Sequence, residues 1–93
     1  MPILALMSTK KDSGNDTSPS GNEIVMEKLG NRIKTLRLQK GYSSHEKFAY
    51  EHNFNRSQYF RYEHGEDLRF STLLKIVTAF NMTMEEFFSQ GFD

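Results

Sequence analysis

The stretch SSHEKFAYEHNFNRSQYFRYEHG, residues 43–65, decides the fold. It holds two short helical patterns on either side of Asn53-Phe54-Asn55. Ser43 or Ser44 can cap the first, Ser43 with Glu46 forms an S-x-x-E capping box, and Phe48 and Ala49 are its inward residues before the pattern fades near His52. Asn53 tolerates the left-handed backbone that stops a helix, and Asn55 is a good N-cap for the next one. The second pattern, Arg56 to about His64, carries Tyr59 and Tyr62 at the spacing of a buried face and stops at Gly65. Short helices joined by a turn of about three or four residues form an angled pair.

Upstream, Leu29, Ile33 and Leu36 recur on one helical face from Ile24 onward, with Lys28, Arg32, Lys34 and Lys40 elsewhere around it and Gly41 as the stop. Downstream, a polar loop of Glu66, Asp67, Leu68 and Arg69 leads to a helix capped by Ser71, with Leu73, Leu74, Ile76, Val77 and Phe80 as its apolar face. Asn81-Met82 turns the chain. Thr83 with Glu86 forms a second capping box, and Met82 can staple onto Phe87, opening a last helix that reaches about Gln90. No period-two run bounded by hairpin turns is present. The expectation is an all-α, compact five-helix domain over residues 24–93, with residues 1–23 as a disordered, flexible N-terminal tail. Ser8 to Asn22 are small or polar, with Gly14, Pro19 and Gly21 as breakers.

At 93 residues there is room for one domain and one modest core. Cysteine is absent, which excludes disulfides, thiolate zinc sites and a cysteine nucleophile and fits a reducing compartment. The apolar run Pro2 to Met7 is too short to span a bilayer, and Lys10 and Lys11 follow it where a signal peptide would have them precede it. These features predict a soluble, cytoplasmic protein.

The formal net charge is zero, with 12 basic and 12 acidic residues. Their distribution is uneven. Lys28 to Arg61 holds eight basic residues against Glu46 and Glu51, a net +6, whereas Tyr62 to Asp93 holds Arg69 and Lys75 against six acidic residues, a net −4. Such polarity predicts one face for an anionic partner and another that is solvated or meets a second protein.

The segments LGNRIKTLRLQKGYS, EKFA, NFNRSQYFRYEHG and STLLKIVTAFNMTMEEFF together span most of Leu29 to Phe88. In spacing they resemble the Xre-type helix-turn-helix family, which includes the phage lambda-repressor-like and Cro-like DNA-binding domains. The resemblance implies that Arg37, four residues before Gly41, pairs inside the domain with Glu63 of the Glu63-His64-Gly65 segment, a structural ion pair. It also implies a transcriptional regulator. The stretch from Gly41 to Phe48 is one residue longer than the family pattern. His45 stands where glutamine is common, Asn53 where glycine is usual, and Tyr59 and Tyr62 where Ile or Val is usual.

A helix-turn-helix presents the start of its second helix to the major groove of double-stranded DNA. With Tyr59 and Tyr62 inward, Arg56, Ser57, Gln58 and Phe60 are the expected base-reading residues. Arg56 suits guanine, Gln58 suits adenine, Ser57 suits a base or phosphate, and Phe60 suits a thymine methyl. Phosphate contacts are expected from Ser43, Ser44, His45, Lys47, Asn55 and Arg61, with Lys34 and Lys40 as weaker candidates. A homodimer through Phe87, Phe88 and Phe92 would match a palindromic site. The three histidines lack companions at metal-ligand spacing, and no cofactor motif, nucleophile–base pair or paired carboxylates are found, which predicts neither metal nor enzyme. The competing expectation is a protein-interaction module of the same fold, antitoxin-like or a co-regulator, with DNA binding secondary.

Overall fold

Among the described residues, five helices succeed one another: α1 (Gly21–Gln39), α2 (His45–Glu51), α3 (Arg56–Glu63), α4 (Phe70–Ala79) and α5 (Met84–Phe88). This is a computed structural model that describes residues 21–93, and no strand occurs among the described residues. The expected tail therefore lies outside them, except that Gly21 to Glu23, expected to belong to it, form the first turn of α1.

Local chemistry sets where each helix stops. Tyr42 N donates to Arg37 O and Gly41 N to Leu38 O; the same paired bonds recur after α2 at Asn53-Phe54, after α3 at Gly65-Glu66 and after α4 at Asn81-Met82. The pivot residues Gly41, Asn53, Gly65 and Asn81 all have positive φ, the left-handed turn of a Schellman closure that satisfies orphan carbonyls. Starts are set by caps. Ser44 Oγ accepts from the backbone N–H of Glu46 and Lys47, Asn55 Oδ1 accepts from Gln58 N, and Thr83 and Glu86 form a reciprocal capping box.

Three local details differ from expectation. Of the two expected caps of α2, Ser44 is the one that bonds, to the N–H groups two and three positions on, so Glu46 is not the partner of a Ser43 capping box. Helix α4 begins at Phe70 with Arg69 as a cap that makes no side-chain bond, so Ser71 lies inside the first turn. Leu74 is 41 % exposed, off the inward face formed by Leu73, Ile76 and Val77. The burial of that face, rather than a polar cap, holds α4 in place.

Ile33, Phe48, Ala49, Tyr59, Ile76 and Phe87 are fully buried and form the centre of one core to which every helix contributes. Helix α3 packs against both α1 and α2, and α5 against α4. Arg32, expected on the solvated side of α1, is buried: its Nε donates to Phe87 O at 2.7 Å, its Nη2 to Glu86 O at 3.0 Å, and its guanidinium lies 5.7 Å from the Phe87 ring centroid. It ties the C-terminal carbonyls of α5 to α1. Among the described residues, no helix is long and apolar enough to cross a membrane.

Candidate functional site

Helix α3 is held from behind by a buried ion pair. Arg37 Nε donates to Glu63 Oε2 at 2.7 Å and Nη2 to Oε1 at 3.1 Å, a two-point fork, while Nη1 donates to Tyr42 O at 2.7 Å. The Arg37 and Glu63 side chains are 6 % and 2 % exposed. The bond to Glu63 is the largest influence raising the Arg37 pKa above its ordinary value, so the guanidinium stays charged despite its burial. Burial, then the neighbouring Glu63, pushes the Tyr59 hydroxyl well above the usual tyrosine range. That hydroxyl makes no hydrogen bond to any described residue.

A close backbone approach fixes the same end of α3. A Cβ on Gly30 would stand 2.8 Å from both Glu63 O and Gly65 N and 2.9 Å from Tyr62 O. Only a residue without a side chain lets α1 pass so near to the last turn of α3. The ion pair and this glycine anchor the C-terminal half of α3 to α1, with Tyr59 buried and Tyr62 half-buried.

The remaining arc is open. Arg56, Ser57, Gln58, Phe60 and Arg61 are all exposed. Ser44, Lys47 and Arg56 line one groove between the starts of α2 and α3, together with Glu46, Tyr50 and Phe54. Asn55 and Gln58 line a second, with Tyr62, Thr72 and Lys75. Phe60 and Arg61 line a third, toward the start of α1. Ser43, His45 and Ser57 belong to none of these three. Capping uses the oxygens of Ser44 and Asn55 as acceptors, which leaves the Ser44 O–H and the Asn55 amide N–H groups as donors, the polarity a phosphate requires.

Electrostatics are less one-sided than the linear charge count. Arg32 and Arg37 are buried, Arg56 Nη1 lies 3.7 Å from Glu46 Oε2, and Arg61 Nε lies 3.9 Å from Glu66 Oε1. Both surface pairs are solvated and weak, so each arginine can exchange its carboxylate for another anion at little cost.

Two features escaped the sequence reading. Phe60 is flanked by imidazoles, with ring centroids 4.9 Å from His45 and 4.1 Å from His64, and His64 Nδ1 lies 2.8 Å from Phe60 O. The i, i+4 spacing of Phe60 and His64 is legible; the approach of His45 from α2 is not. Tyr50, 83 % exposed, stands beside Lys47 and Arg56, and no spacing in the sequence marks it. His52 packs on Phe48 at 4.4 Å, away from the surroundings of His45.

No known family model, curated protein or solved structure matches this chain.

One expected contact is corrected. Phe87 is fully buried at the base of the core and cannot form part of a dimer patch. Phe88, 43 % exposed, and the half-buried Phe92 pack together at 4.9 Å and are what remains of that surface.

Proposed function

We propose that this protein is a sequence-specific double-stranded DNA-binding regulator in which α2, the turn 52–55 and α3 form a helix-turn-helix of the lambda-repressor-like kind. The observation that carries this reading is the division of α3. Its inward residues are clamped by a buried two-point ion pair and a glycine contact, while Arg56, Ser57, Gln58, Phe60 and Arg61 form an exposed arc. A rigidly held short helix with donor and aromatic side chains outward is what base-edge recognition requires. Arg56 and Gln58 read bases, Ser57 and Phe60 complete the contact, and Ser43, Ser44, His45, Lys47, Asn55 and Arg61 supply backbone contacts. His45 contributes its imidazole from beside Phe60. A homodimer through Phe88 and Phe92 would double the contact on a palindrome.

The test is selection of bound duplexes from a random library at two salt concentrations, with the intact chain and an Arg56→Ala, Gln58→Ala variant. An enriched motif that disappears in the variant is the expected outcome. Weak, salt-sensitive binding without a motif, unchanged in the variant, refutes base reading. The second reading, a protein-interaction module, is favoured by the carboxylates beside Arg56 and Arg61, which lower the positive charge of the same face.

A further inference from the structure

We propose that the groove between the start of α1 and the end of α3 is a docking surface for this chain's own N-terminal segment, Pro2 to Lys11. The groove, about 800 Å³, has Val25 and Met26 of α1 and Phe60, His64 and Gly65 along its floor. Its edge carries Glu66 and Asp67 against Arg61, whose guanidinium lies beside Glu66. An apolar floor with an acidic edge fits an apolar peptide that ends in cations. Residues 2–11 read PILALMSTKK, an apolar run with Lys10 and Lys11 at its end.

The connection is of the right length. Asn22 and Glu23 line the groove and belong to the first turn of α1, so the chain enters the helix at the groove's own edge. The intervening residues 12–20 can reach about 17 Å without being fully extended. A tether of that length holds the segment at an effective concentration on the order of millimolar, so even a millimolar contact is about half occupied. Phe60 and Arg61 belong to the outer arc of α3, and an occupied groove covers them. Competition with duplex DNA therefore rests on the DNA-binding reading of α3; the docking itself does not.

The experiment uses the full chain with two pairs of substitutions, Leu4→Asp with Leu6→Asp and Lys10→Glu with Lys11→Glu. It tracks the NMR resonances of Met26, Phe60, His64 and Gly65 at low protein concentration. Docking predicts that both pairs shift these resonances and leave those of Phe48 and Phe87 in place. Adding Glu66→Lys and Asp67→Lys to the Lys10→Glu, Lys11→Glu chain should restore part of the docked signal. Unchanged resonances overturn the proposal, as do shifts that depend on protein concentration, which would assign the groove to a second copy. In duplex titrations the released variants should bind about twofold tighter. Resonances that move in a chain that binds no duplex would leave the docking standing and refute only the DNA reading.

Discussion

Removing one partner of the Arg37–Glu63 pair should be far more damaging than removing both. In Glu63→Gln the guanidinium keeps its bond to Tyr42 O but loses the carboxylate that receives Nε and Nη2. Both side chains are nearly sealed from water, at 6 % and 2 % exposure, so the uncompensated charge should cost about 3–5 kcal/mol. A domain the size of residues 21–93 has a total stability of roughly 4–11 kcal/mol. The loss therefore takes from about a third to the whole of it, with Tm falling by about 12–40 °C. Arg37→Met with Glu63→Leu replaces the pair by apolar side chains of similar length and should come within about 1 kcal/mol of the parent, or exceed it. Urea unfolding monitored by circular dichroism on the parent, Arg37→Met, Glu63→Leu and the double variant gives the coupling energy directly, with Glu63→Gln measured alongside. A Glu63→Gln cost below about 1 kcal/mol, the range of surface pairs, would refute the claim that this pair anchors α3.

Gly30→Ala should destabilise by about 1–3 kcal/mol through overpacking, although alanine in a helix interior ordinarily gains about 1 kcal/mol over glycine; a measured gain would mean that α1 and α3 are not in close contact at this point. Because the folded state raises the Tyr59 pKa, the fold retains that proton when the unfolded chain loses it. The Tyr59 contribution to stability should thus be constant below about pH 10 and fall above it by up to about 1.4 kcal/mol per pH unit. Tyr59→Phe should remove most of that slope while changing stability at pH 7 by less than about 1 kcal/mol, and an unaltered alkaline slope in the variant would count against the assignment. Phe87→Ala should cost about 3–5 kcal/mol, as expected for a fully buried ring, whereas Phe88→Ser should leave the fold intact and abolish any concentration-dependent mass in sedimentation. Equal losses of stability from both would contradict their separate placement.

Much of the helix layout was legible because it is written in local chemistry. Gly41, Asn53, Gly65 and Asn81 end their helices with positive φ, and Asn55 and Thr83 cap the next ones, through bonds among residues a few positions apart. The outer arc of α3 could be read from the three-residue spacing of Tyr59 and Tyr62. Where alternatives were local and nearly equal in energy, as between Ser43 and Ser44, spacing could not choose. Ser71 was a sound cap by type, yet the apolar face starting at Phe70 determined where α4 begins.

The sequence by itself determined the all-helical order and the exposed residues of α3, because helix period and capping act over a turn or less. Only the tertiary structure decided the burial of Arg32 against the carbonyls of α5, the gap at Gly30 through which α1 passes α3, and the flanking of Phe60 by His45. It also removed Phe87 from the surface. Each of these depends on residues brought together across helices. A charged side chain that satisfies distant carbonyls carries no periodic mark distinguishing it from one that faces water.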